Sequence, residues 1–520
     1  MSVSLEIKRS NTGIVDAIVA EDIADFPDLN LAESLQRIPG VTISRDAGEG
    51  RGISVRGLDS QFTRVRINGQ EALATTGGTD SSGGVNRGRG FDFNVFASEL
   101  FNQIVVRKTA SADLEEGALG ATVDLRTAHP FDYSGFTFVA AGKIGYNDLA
   151  SNYDPRASML ISNTWADGRF GALFSAAYTD RAITEEGHST VRWDNGPSSG
   201  GFNAASVADA KLSTTFHPRI PRYGVLEHEQ ERLGLTGTLQ FAPSNKTEIT
   251  LDMMYADFDA TRTENFLEAV SFSRTGANGK PQTIVRDAVV DSKGNLVYGV
   301  FDQVDVRSEA RYDELATEFS QYTLSGTHKF TDEFRMSAHI GRTESKFDNP
   351  IQTTITLDRP NVNGYTWDYR NNSRLPSINY NYDVSDPANW NFANGLSEIR
   401  LRPQTADNTY DMANLEFQYD AYEGLGFSFG WQYKKYEFVT TESRRASETL
   451  VQNLPVGTSL ADLTTLISLN GTSAGGYLDQ VWLIPNIDAF NDLFDIYSNS
   501  GIYTLSPNVP SARGSNRSVT

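Results

Sequence analysis

Leu233, Leu235, Leu239 and Phe241 interleave with Arg232, Thr236, Thr238 and Gln240. After a short turn, Ile249, Leu251, Met253 and Tyr255 interleave with Glu248, Thr250 and Asp252. An apolar residue at every second position puts one face of an extended strand against an apolar medium and the other against water. The same rhythm predicts nine strands, near 136–147, 156–165, 169–181, 231–242, 246–258, 318–330, 334–343, 411–420 and 425–438. Phe136, Phe138, Ala140, Ile144 and Tyr146 share a face of the first, and Phe170, Ala172, Phe174, Ala176 and Tyr178 a face of the third. Leu415, Phe417 and Tyr419 are followed by Phe427, Phe429, Trp431 and Tyr433 in the last pair.

The connections alternate in length. Short turns lie near Ala166-Asp167-Gly168, Pro243-Ser244-Asn245, Thr331-Asp332-Glu333 and Tyr422-Glu423-Gly424, and long gaps cover 182–230, 259–317, 344–410 and 439 onward. Only the gap 148–155 breaks the rule. Transmembrane β-barrels have short periplasmic turns and longer outer loops, so the expected fold is an antiparallel barrel whose long gaps face outward. No run of roughly 18 apolar residues offers a membrane helix, and the mean hydropathy is -0.38. A barrel is compatible with both facts, because only alternate residues meet lipid. The 21 Tyr, 29 Phe and 6 Trp suit the aromatic girdles of such a wall.

Residues 1–130 do not alternate in this way and read as a small α+β domain. Asn30 and Glu33 make a capping-box pattern ahead of a helix carrying Leu31, Leu35 and Ile38, which Pro39-Gly40 ends. Strands follow at Val41 to Ser44, Ile53 to Leu58 and Arg64 to Ile67, the last with an Asn68-Gly69 turn. Thr75 to Gly90 reads as a Gly-, Ser- and Thr-rich loop. Ser98 opens a short helix, and Ile104 to Lys108 and Ala121 to Thr127 are further strands.

Five pieces in this region stand in a fixed order: Leu31-Ala32-Glu33-Ser34-Leu35-Gln36-Arg37-Ile38-Pro39-Gly40-Val41, Ile53-Ser54-Val55-Arg56-Gly57, Val65-Arg66-Ile67-Asn68-Gly69, Gln103-Ile104-Val105-Val106-Arg107-Lys108, and Glu116-Gly117-Ala118-Leu119-Gly120-Ala121-Thr122-Val123-Asp124-Leu125-Arg126-Thr127. In order and spacing they resemble the plug domain of the TonB-dependent receptors of Gram-negative outer membranes. Phe91-Asp92-Phe93-Asn94 and Lys108-Thr109-Ala110-Ser111-Ala112-Asp113 look like the branch linked to oligosaccharide uptake. The resemblance implies a division into 1–14 ahead of the plug, 15–130 as plug, and 131–520 as barrel with long extracellular loops. It further implies a cell outer-membrane location and TonB, a small-molecule ligand and outer-membrane lipid as partners.

Plugged transporters have about 22 strands, whereas nine are read here, and an odd count cannot close an up-and-down barrel. The expectation is an incomplete barrel, cut short at both ends. The opening Met1 to Arg9 has no apolar core of a signal peptide. Val3-Ser4-Leu5-Glu6-Ile7 reads as extended and partly apolar, but the TonB box is expected upstream of it.

By the same resemblance Arg56 and Lys108 reach carboxylates of the barrel wall and lock the plug, although Arg107 could replace Lys108 and a solvated Arg56 is the plainer alternative. Gly57, Gly69, Gly117 and Gly120 are expected to serve backbone geometry. Arg87 and Arg89, in an apical loop without a P-loop pattern, are candidate ligand contacts. So are Trp193, Trp367 and Trp390, which share the long loops with Tyr365, Tyr369, Tyr380 and Tyr382. Aromatic rings stack on the apolar faces of sugars, although packing among loops explains them equally well.

The remaining chemistry narrows the field. A net charge of -21 speaks against nucleic acid as a partner. The absence of cysteine excludes a disulfide scaffold. Six scattered His suggest neither a metal site nor a cofactor, and no Gly-x-Ser-x-Gly appears, so an enzyme is not expected. The reading is a monomeric, energy-coupled receptor for a scarce solute, oligosaccharide before siderophore. The alternatives are a passive porin or adhesin barrel and a soluble β-rich carbohydrate-active protein.

Overall fold

The computed structural model describes residues 3–11, 13–19, 30–78, 85–111, 114–196, 198–204, 212, 214–276, 279–469, 481–507 and 517–519. The chain opens with helix α1 (Val3–Ser10). This is the segment whose composition reads as extended. Glu6 in its first turn and Lys8 and Arg9 in its last complement the helix dipole, and Asn11 and Ser10 donate to the Ile7 carbonyl at its end.

Seven strands follow: β1 (Val15–Val19), β2 (Val41–Asp46), β3 (Glu49–Val55), β4 (Thr63–Ile67), β5 (Gln70–Glu71), β6 (Phe101–Arg107) and β7 (Ala121–Thr127). Five of them form a sheet in the order β1-β6-β7-β4-β5, with β4 and β7 parallel. The other two, β2 and β3, form a separate hairpin. A helix α2 (Leu31–Leu35) packs Leu31 and Leu35 into the plug core beside Ile53, Val65, Phe93 and Phe96. Asn30 caps it by accepting from the Ala32 N–H at 3.0 Å. Glu33 does not complete the expected capping box. It turns to the hairpin instead, accepting from the Gly50 N–H at 3.0 Å and pairing with Arg45. The hairpin thus offers a charged partner that outcompetes the helix's own N–H.

The nine alternating segments are the nine long strands of one antiparallel sheet. They are β8 (Thr137–Asn147), β9 (Asn152–Trp165), β10 (Phe170–Ser189), β11 (Arg222–Ser244), β12 (Thr247–Ala269), β13 (Val304–Lys329), β14 (Phe334–Val362), β15 (Gln404–Tyr422) and β16 (Leu425–Glu442). Among the described residues the sheet is open, with β8 at one edge and the short strand Arg517–Val519 beyond β16 at the other. No helix is long and apolar enough to cross a membrane. The outward faces of the strands carry the exposed apolar rows, such as Phe427, Phe429, Trp431 and Tyr433 on β16.

Most strands run well past the alternating segments. Strand β14 has 29 residues, about 95 Å at the usual rise, whereas a membrane crossing needs roughly 9–11 residues. Where apolar alternation stops, the outward residues of β10, β11, β12 and β13 become acidic. Asp180 is paired in register with Glu231, and Glu231 with Asp259, while Asp257 faces Glu318. Beyond this acidic row the same face turns apolar again at Tyr223, Val225, Leu267 and Val306. There it receives a folded cap built from the long connections.

The cap has its own four-stranded sheet (Ile284–Val290, Leu296–Asp302, Tyr365–Asp368 and Ser377–Asn379). It also has a two-stranded sheet (Thr464–Ser468 with Val481–Pro485) and helix α3 (Ile487–Phe494). Phe272, Phe301, Tyr365, Trp367, Tyr380, Trp482 and Phe490 are buried together at its centre.

Candidate functional site

The inward face of the wall is largely polar, with an apolar patch at Ala177, Met254, Ala256 and Phe319 that packs against the plug core. Hairpin β2–β3 turns at Ala47 (φ 46) and Gly48 (φ 69), the left-handed pair that matches strand twist in a two-residue loop. The tip touches the wall: a Cβ placed on Gly48 would lie 2.5 Å from the Ile183 Cδ1. One residue to either side of the turn is a carboxylate. Glu49, 1% exposed, accepts from the Arg232 Nη2 at 2.8 Å and from the Gln230 Nε2 at 3.1 Å. Arg181 stands 3.3 Å from its other oxygen and donates to the Ala47 carbonyl at 3.0 Å.

Burial alone would push the Glu49 carboxyl up. The guanidiniums of Arg232 and Arg181 outweigh it and hold the group below its ordinary value. Asp46 lies 3.8 Å from Arg262 of the wall, which also donates to the Gly78 carbonyl and pairs with Asp313. Two plug carboxylates are therefore held by wall arginines on three strands, β10, β11 and β12.

A second line of contact is made of neutral groups. The Thr343 hydroxyl donates to the Glu71 carbonyl and the Thr317 hydroxyl to the Thr75 carbonyl. Gln321 donates to the Ile67 carbonyl, and Gln70 to that of Tyr410. Thr317, Gln321 and Thr343 of the wall thus supply hydrogen bonds to buried plug carbonyls, and Gln70 of the plug supplies one to the wall. Within the plug, buried Asp92 accepts from the Thr76 N–H and pairs with Arg51, fastening the two flanks of the Gly-rich loop. Residues 79–84 of that loop lie outside the described residues.

The residues singled out in the sequence sit differently from one another. Lys108 does not reach the wall. Its ammonium pairs with Asp16 and donates to the Pro39 carbonyl, both within the plug. The Arg56 side chain is exposed, and among the described residues no ion pair joins it to the wall. Both were expected to lock the plug; the buried ion pairs at the hairpin run with reversed polarity, from Asp46 and Glu49, while Glu115 of the plug pairs with Lys434 and a plug arginine of the expected polarity, Arg87, reaches the wall elsewhere.

Arg87 and Arg89, the candidate ligand contacts of the apical loop, lie against plug and wall residues. Arg87 pairs with Glu442 at 3.0 Å and donates to Gln404. Arg89 pairs with Glu71 at 3.1 Å and lies over the Tyr436 ring. Trp367 and Trp390 are buried in the cap: Trp367 packs between Phe272 and Phe301, and Trp390 donates to the Val384 carbonyl. Their rings have no free face for a ligand. Trp193 is half-buried, stacked on Phe216 and edge-on to Tyr369.

Gly57, Gly69 and Gly117 have positive φ. Gly120 does not, but a Cβ there would meet the Thr63 Oγ1 at 3.1 Å and the Phe62 carbonyl at 3.4 Å. The sequence reading missed Asp46, Glu49, Arg181 and Arg262. The available signal was a run of charged residues at inward positions of strands, such as Arg232 in the alternation itself.

Residues 7–122 match the family described as TonB-dependent Receptor Plug Domain. No curated protein matches the chain. Among solved structures, the siderophore receptor PirA from Acinetobacter baumannii is 10% identical with a TM-score of 0.28, over 86% of this chain and 79% of that one. The copper transporter OprC is 9% identical with a TM-score of 0.34, over 84% of this chain and 62% of that one. The ferripyoverdine receptor of the outer membrane of Pseudomonas aeruginosa is 12% identical with a TM-score of 0.31, over 84% and 70%. The chain thus spans less than two thirds of the copper transporter. At these scores the overlaps add no weight to what the strands themselves show. Residues 7–122 thus belong to the plug domain family of TonB-dependent receptors, and this plug is docked against an antiparallel wall whose other face carries the exposed apolar rows.

Proposed function

We propose that the chain serves energy-coupled uptake of a scarce solute across the outer membrane. The solute binds from outside, and TonB, adding a strand to a segment ahead of the plug, pulls the plug away from the wall. The observation that carries this reading is the buried hairpin contact of Glu49 with Arg232 and Arg181. A plug held by a few charge pairs, threonine hydrogen bonds and one apolar contact, with Ala177, Met254, Ala256 and Phe319 of the wall, is released by breaking a discrete set of contacts.

For the ligand, oligosaccharide remains the reading of the plug motifs, siderophore the second. Of the three tryptophans expected at the ligand, Trp193 alone keeps an accessible edge, so stacking by these residues supports a sugar only weakly. The solved receptors named above are described as taking siderophores or copper.

The chain has no cysteine, so Ala47→Cys, at the buried hairpin tip, supplies a single thiol. In cells, a membrane-impermeant maleimide should label it only when TonB and the proton gradient are both present. Equal labelling without TonB would remove the energy coupling and favour the passive porin.

A further inference from the structure

Above the plug, the inward face of the wall carries a second charged assembly. A cavity of about 430 Å³ is lined by Arg219, Arg222, Arg274, Arg307, Arg400 and Arg402. Arg222, Glu268 and Arg307 form one cross-strand row. Unbroken alternation from Arg232 to Arg222 on β11, and from Arg262 to Glu268 on β12, keeps this row on the face that holds the plug. Six residues of strand separate it from Arg262, roughly 20 Å. The cavity therefore lies on the lumen side, between the outside and the plug, while the cap packs on the opposite face.

The arginines around it are held to different degrees. Glu268, Glu309 and Glu398 line the cavity with the six guanidiniums, and Asp305, Asp358 and Glu448 pair with three of these from behind. Arg402 is fully engaged by Glu448, with both contacts at 2.7 Å. Arg307 pairs with Asp358 at 3.0 Å and Glu398 at 3.1 Å. Arg400 pairs with Glu398 and Glu309. Arg222 pairs with Glu268 and lies 3.6 Å over the Phe266 ring.

Arg274 differs. Its paired carboxylate, Asp305, is 3.9 Å away, too far for a hydrogen bond, and its side chain is 32% exposed. Burial and the adjacent Arg307 guanidinium both disfavour its charge, while Asp358, Glu398 and Asp305 favour it. The Oδ2 of Asp305 is itself buried without a hydrogen-bond partner. A purely structural pin would close this gap; a guanidinium held open at a cavity edge is placed for an anion from outside.

We propose that this cavity takes an anionic group of the incoming ligand, a carboxylate or phosphate, with Arg274 closing on it. The inference rests on the uptake reading only for the side of arrival. The shared chemistry could belong to an acidic sugar or to a carboxylate chelate.

The test is calorimetric titration of the full chain, purified in detergent, with trigalacturonate, citrate and neutral maltotriose. At least one of the two anions should bind, with an affinity that falls as salt rises, and maltotriose should not. Whichever anion binds names the source. Arg274→Ala should weaken that binding by about tenfold or more. Should its unfolding midpoint differ from that of the unmutated chain, Arg274→Lys decides. It keeps the charge without the fork, and a several-fold loss supports the proposal where no loss overturns it. Maltotriose binding as well as the anions, or no anion binding at all, also overturns it. None of these results depends on TonB, so failure here leaves the uptake reading standing.

Discussion

Glu49 is the residue on which the plug contact turns. Truncating it to Ala leaves Arg232, 1% exposed, without its carboxylate, and an uncompensated buried charge costs about 3–5 kcal/mol. Glu49→Ala should lower the denaturant midpoint accordingly. The double change Glu49→Met with Arg232→Met, which removes both charges and keeps volume, should recover most of the loss. A double variant as unstable as the single one would show that the pair is not coupled. At this scale the sequence was legible where backbone geometry decides: Asn68-Gly69 turns with φ 49 and 86, as the dipeptide demands. It was not legible where long-range pairing decides. Glu49 sits in a glycine-rich stretch and its partners are more than 130 residues away, so nothing local marks it.

The strands show why their number was readable and their length was not. Alternation exists only while one face meets lipid. When outward positions change from Leu233 to Glu231, both faces of β11 become polar. When they change from Tyr255 to Asp257 and Asp259, the apolar positions of β12 move to the inward face at Ala256, Phe258 and Ala260. The lipid-facing signal therefore ends, yet the backbone ladder continues without a break. The gaps read as loops are therefore partly strand and partly cap. Within the lipid-facing stretch the alternation sets a strict cost. Leu251→Arg, opposite Leu239 and Leu324, should destabilise the wall by about 2–4 kcal/mol, measured as the shift in unfolding free energy in lipid vesicles. Thr250→Arg, on the inward face, would not carry this lipid penalty; equal penalties at the two positions would contradict the assigned faces.

At the scale of the molecule, the cap is a packed unit whose stability depends on pH through buried groups. The His217 imidazole is buried beside the Lys280 ammonium, 3.1 Å away. Burial first, then that charge, hold it down to about 4 from 6.5. The unfolded chain takes up this proton near pH 6.5 and the folded cap only near 4. The contribution is therefore complete above pH 6.5 and is lost as pH falls between the two values, by up to about 3 kcal/mol. Glu398, held at about 2 by Arg400 and Arg307 against its own burial, adds a further loss once pH drops below 4.5. Amide exchange over residues 365–380, corrected for intrinsic rates, should accelerate from about pH 6.5 to 4. Protection that stays flat across that range would refute it.

The like-charged row of Asp180, Glu231 and Asp259 has a consequence of a different kind. It acts as a waterline. Carboxylates directly opposite one another repel, and that repulsion would grow if the row sank into hydrocarbon, where screening disappears. The apolar rows below resist rising for the opposite reason. Together they fix the draught of the molecule: a thicker bilayer must thin around it or let it tilt, and the cap keeps a constant freeboard above the surface.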